Sequence, residues 1–128
     1  MSGRHLPADH SKGDESTLGG YMAVHDRPAA FEGSDGLSYS VSIESERTGE
    51  LRSPWSAYLL FVRWGRGEPN VTGHLESGFL SNCATEEECR SIVGALPLHD
   101  VKVILETLIL EHAPAPGRPW WEAMNSER

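Results

Sequence analysis

The chain reads as an α+β domain, a mostly antiparallel sheet of three or four strands with one main helix (85–96) packed on one face. Three observations predict this. Residues 37–44 alternate between apolar and polar, residues 55–64 are apolar almost throughout, and residues 85–96 join a helix-start signal to a helical apolar stripe. A length of 128 residues suits one domain and not two ordinary ones. Apolar residues thin out before residue 19 and after 112, so 19–112 is the expected domain, flanked by two tails.

Residues 1–18 are mostly small and polar and are expected to form a disordered tail. After Gly19-Gly20, the run Tyr21-Met22-Ala23-Val24 suits a short edge strand, and Pro28 with the Gly33–Gly36 stretch forces a loop. Leu37, Tyr39, Val41 and Ile43 then point one way, while Ser38, Ser40, Ser42 and Glu44 point the other. A period of two with β-branched and aromatic residues is the mark of a half-buried strand. Trp55 to Trp64 is apolar on both sides, which predicts a central strand needing cover on both faces. Gly65 to Asn70 is a turn by composition. Val71, Gly73, Leu75 and Phe79, alternating with Thr72, His74 and Glu76, form the returning arm of a hairpin.

Thr85-Glu86-Glu87-Glu88 is a capping box: the threonine hydroxyl accepts from a free helix amide, and Glu88 is spaced to reach back. Three acidic residues in the first turn also suit the helix dipole. Cys89, Ile92, Val93 and Leu96 follow at i, i+3, i+4 and i+7, one helical face. Residues 101–111 admit two readings. As a helix, Val101, Ile104, Leu105, Leu108 and Ile109 make a stripe. As a strand, Val101, Val103, Leu105, Thr107 and Ile109 share a face, and their β-branching favours that state.

One resemblance weighs on that choice. The stretch "ALPLHDVKVILETLILEHAP" is similar to the closing segment of muconolactone isomerase-like proteins, members of the dimeric α+β barrel group. With the helix that precedes it, from Glu87 to His112, the similar region is about a fifth of the chain. The resemblance implies a helix, a Leu-Pro-Leu turn and a final strand running to His112, with dimerisation as a further expectation. It carries no catalytic residue across. On this ground a strand is expected at 101–111. Residues 113–119 are Pro-rich and read as an extended linker to a Trp120-Trp121 anchor, able to dock on the chain's own sheet, a second copy or a partner.

The formal net charge of −8 disfavours phosphate backbones, so nucleic acid is not an expected partner. No apolar run approaches the length of a membrane span, and the first residues lack the apolar stretch of a secretory signal. Two cysteines without that signal point to reduced thiols and a cytoplasmic setting. Cys83 lies just ahead of a helix start, a position that can activate a thiol, while Cys89 falls on the apolar helical face. The six histidines show no metal-ligand spacing, and no phosphate loop or nucleophile motif is present; neither metal nor cofactor is expected.

The remaining chemistry sits in the hairpin. His74 and Glu76 share one strand face. Pairing residue 64 with 71 would set Arg63, Phe61 and Leu59 beside them, with Tyr39 on the neighbouring strand. Such a group could bind an acidic ligand or move a proton; it could equally be a solvated, charged strand face. Two function classes follow. One is a non-catalytic binding or assembly module whose second sheet face, with Phe61, Leu59, Trp120 and Trp121, meets a twin or a protein partner. The other is a small, isomerase-like enzyme or ligand-binding protein with a pocket around His74, Glu76, Arg63 and Tyr39.

Overall fold

The computed structural model describes residues 8–65 and 71–112. All of the expected 65–70 turn but Gly65, together with His5 and the tail bearing Trp120 and Trp121, lies outside the described residues. The order of elements is α1 (Leu18–His25), β1 (Ala29–Glu32), β2 (Ser38–Arg47), β3 (Trp55–Trp64), β4 (Val71–Glu76), β5 (Ser81–Cys83), α2 (Glu86–Gly94) and α3 (Leu98–Glu111). The class is α+β as expected, with three helices among the described residues. The antiparallel sheet runs β1-β2-β3-β4, and β5 also pairs with β3, beside Trp55–Ala57.

The alternation in β2 is realised. Tyr39, Val41 and Ile43 are buried and face one core with Ala57, Leu59 and Phe61 of β3, Leu75 of β4 and Cys83 of β5. The hairpin of β3 and β4 forms as expected. Helix α2 starts where the capping box places it, with the Thr85 hydroxyl accepting from the Glu88 amide at 3.1 Å. Cys89 and Val93 of its apolar face are fully buried, while Ile92 stays half exposed.

Strands β1 and β5 were not expected from the sequence, and two segments expected as strands are helices. Tyr21–Val24 belongs to α1, not to an edge strand. The Thr17 hydroxyl caps this helix by accepting from the Gly20 amide at 3.1 Å, and Asp26 ends it in the left-handed conformation. Glycine at 19 admits α2: a Cβ there would stand 3.2 Å from Gly94 Cα and its carbonyl oxygen. The segment expected as a tail therefore packs from residue 9 onward. The Asp9 amide donates to the Val24 carbonyl, Leu18 is fully buried, and the Leu98 amide donates to the Ser16 carbonyl. Two histidines clamp it further, since His10 Nδ1 and His25 Nε2 each lie 2.9 Å from a Glu15 carboxylate oxygen.

The second correction is α3. Residues 98–111 form a helix, so the helix–turn–strand shape implied by the resemblance is a helix–turn–helix here. The helical stripe of the sequence is the one used: Val101, Leu105 and Leu108 are buried, whereas Val103, which a strand would have turned inward, is half exposed. A weak β propensity at several positions yields to the burial of a continuous stripe against the sheet. The helix runs along the turn between β1 and β2. Lys102 Nζ donates to the Glu32 carbonyl, and the Ser34 amide donates to Glu106 at 3.0 Å. Further on, a Cβ at Gly33 would meet Ile109 Cδ1 at 2.7 Å.

Candidate functional site

The core and the helices occupy one side of the sheet. On the other side, β3 presents Tyr58, Leu60, Val62 and Trp64, all half-buried, and no described helix covers them. Their antiparallel partners set the borders. Ser38, Ser40, Ser42, Glu44 and Glu46 of β2 lie opposite Trp64, Val62, Leu60, Tyr58 and Ser56, respectively. His74 and Glu76 of β4 lie opposite Val62 and Leu60. The result is an apolar stripe between two polar margins.

Each end has its own chemistry. At one end Trp64 Nε1 donates to Ser40 Oγ at 3.0 Å, which fixes the indole against β2. At the other, Phe79 lies edge-on to Tyr58 with ring centroids 6.0 Å apart, and it is 57% exposed. Burial, then the charges of Glu76, Glu46 and Glu44, raise the Tyr58 phenol above its ordinary value. Three carboxylates therefore converge on this end of the stripe.

The four residues expected to share a site do not. His74 Nε2 stands 3.5 Å from Glu76 Oε2, and both side chains are more than half exposed on the open face. Arg63 and Tyr39 point to the other face. The cause is a bulge. Trp64 does pair with Val71, but Arg63 pairs with Gly73, so Thr72 is the extra residue and every later side chain on β4 is turned over. Gly73 takes φ 156°, and a Cβ on it would meet Arg63 Nη2 at 2.5 Å. A glycine inside a strand was the available signal for this irregularity.

Tyr39 instead anchors a polar cluster at the edge of the core. Its hydroxyl donates to Asp35 Oδ2 at 2.6 Å. Burial, with the Asp35 hydrogen bond next, pushes the phenol up to about 12, against the opposing pull of Arg63. Leu59 and Phe61, expected at an interface, are fully buried beneath the helices. Tyr58, Leu60, Val62 and Trp64 are the outward set on β3; the sequence showed both faces of β3 as apolar and did not mark which one the helices would take. Cys83 and Cys89 are buried and not disulfide-bonded, and burial followed by the Cys89 thiol raises the Cys83 thiol above its ordinary value, opposite to activation.

An open depression of about 520 Å³ lies elsewhere, between α1 and α2, bordered by Lys12, Thr17, Ile43, Glu87 and Arg90. It contains none of the candidate site residues His74, Glu76, Arg63 and Tyr39. Among the described residues, no group of three or more His, Cys, Asp or Glu is arranged to hold a metal ion, and no helix is long and apolar enough to cross a membrane. No protein-family model, curated protein or solved structure matches this chain.

Proposed function

We propose that this chain is a non-catalytic binding or assembly module that holds a protein segment on the open face of its sheet. The observation that carries the reading is the stripe of β3. Four successive outward positions, Tyr58, Leu60, Val62 and Trp64, are large and apolar, where an ordinary solvated strand face would alternate to polar residues. An apolar, aromatic patch with a polar rim is the usual composition of a protein-binding surface. Glu44, Glu46 and Glu76 favour a segment with a cation near the Tyr58 end and disfavour a phosphate backbone. The two thiols, neither of them in a disulfide, agree with a cytoplasmic setting. The reading of a small-molecule pocket loses support, because Arg63 and Tyr39 are turned away from His74 and Glu76.

A photo-crosslinking amino acid at Leu60 tests this in the cells that make the protein. Leu51, 98% exposed in the loop between β2 and β3, is the control position. Peptide mapping should find a discrete protein segment joined to position 60 and none joined to 51. Equal labelling at both positions, or none at 60, overturns the proposal.

A further inference from the structure

Which segment occupies the face can be taken one step beyond the reading above, on which this step rests. We infer that residues 119–124, Pro-Trp-Trp-Glu-Ala-Met, are the resident occupant of the open face in the same molecule, laid along Val62 and Leu60.

Position comes first. Helix α3 carries the chain to the correct end of the sheet. Its second half rests on the β1–β2 turn, through Glu106 on Ser34 and Ile109 against Gly33. That turn closes the sheet end where Glu32 pairs with Ser38 and Ser38 with Trp64. The chain leaving His112 thus starts beside the Trp64 end of the stripe, on the helix side of the sheet. Eight steps separate His112 from Trp120, and in an extended proline-rich chain they span about 25 Å. Packed layers are only ~10 Å apart, so the linker can round the sheet end with length to spare.

Size selects this occupant over a second copy. Four half-buried side chains leave on the order of 200 Å² of apolar surface to cover, against roughly 800 Å² per partner in a standard interface. A tethered segment needs little area, because a short linker holds it at millimolar effective concentration. Two adjacent indoles match the size and character of the stripe.

The test uses the full chain and its Trp120→Ala/Trp121→Ala variant, with methyl resonances of Leu60 and Val62 as reporters and those of Leu59 and Val93 as core controls. Loss of the indoles should shift the Leu60 and Val62 methyls and leave the core methyls in place. A synthetic peptide of residues 118–124 should then bind the variant at the same methyls, and bind the intact chain at least about tenfold more weakly, since the tethered copy competes. Equal binding to both chains shows a face that takes such a segment but has no resident tail; it overturns this inference and leaves the binding module standing. Unmoved methyls with no peptide binding to either chain overturn the inference, and a blank crosslink at Leu60 would then remove the module as well.

Discussion

Tyr39 links the fold to a measurable pH dependence. Its side chain is fully buried and its hydroxyl donates to Asp35 at 2.6 Å, so the folded chain strongly prefers the neutral phenol, with a pKa pushed up to about 12. In the unfolded chain the same group titrates near its ordinary value of 10. The folded state therefore binds more protons than the unfolded state between these values, and stability must fall as pH rises through that window. Below pH 10 the contribution is complete. At pH 11 about 1.4 kcal/mol of it is lost, and above 12 the loss approaches about 3 kcal/mol. Urea unfolding of the native chain and of Tyr39→Phe, each at pH 8 and pH 11, isolates this group from the other alkaline titrations. The native chain should lose roughly 1.4 kcal/mol more than the variant between the two conditions. The variant itself should start about 1 kcal/mol lower at pH 8, having lost a buried hydrogen bond. Equal losses in both chains would show that the phenol is not held neutral by the fold, and the description of the Tyr39–Asp35 contact would be wrong.

Other consequences are more local. Leu105→Ala removes the fully buried centre of α3 and should cost about 2–5 kcal/mol in a thermal or urea melt; a smaller loss would argue against α3 packing on the sheet. Glu106 is held below its ordinary carboxylate value, first by Ser34 and then, after an opposing effect of burial, by Lys102, so its stabilising contribution exists above pH 4.5 and is lost as pH falls through the depressed value. Glu106→Gln should therefore be less stable than the native chain at neutral pH, with the difference closing under acid; a difference that persists in acid contradicts the assignment. Cys83 and Cys89 should both resist a thiol reagent in the native state at neutral pH and react on unfolding. Rapid native labelling of Cys83 would contradict its burial.

Much of this arrangement was legible in local chemistry. Thr85 with three following glutamates marked the start of α2, and the serine alternation of β2 showed which of its faces is buried. Elements decided by distant partners were harder to read. Gly19-Gly20 suggests the end of a tail until Gly94 is placed against it; only then does the pair mark a close helix crossing. The β-branched residues of α3 satisfy a strand pattern as well as a helical one, and the choice rests on which stripe the sheet can bury. The candidate site failed for a still smaller reason. One extra residue, Thr72, reverses the direction of His74 and Glu76, and only the glycine beside it hints at that from sequence. On β3 both faces are apolar, so assigning the inner and outer sets required the pairing with β2.

Adjacent leucines on β3 bring that assignment to a direct test. Leu59 lies in the core beneath the helices, and Leu60 lies on the open face between Ser42 and Glu76. Circular dichroism melts of Leu59→Asp and Leu60→Asp should differ sharply: the first chain unfolded, because a carboxylate would be buried without a partner, and the second folded, with a lowered melting temperature. If Leu60→Asp unfolds the chain as completely as Leu59→Asp, the second face of the sheet is not open, and the surface on which the proposed function depends does not exist.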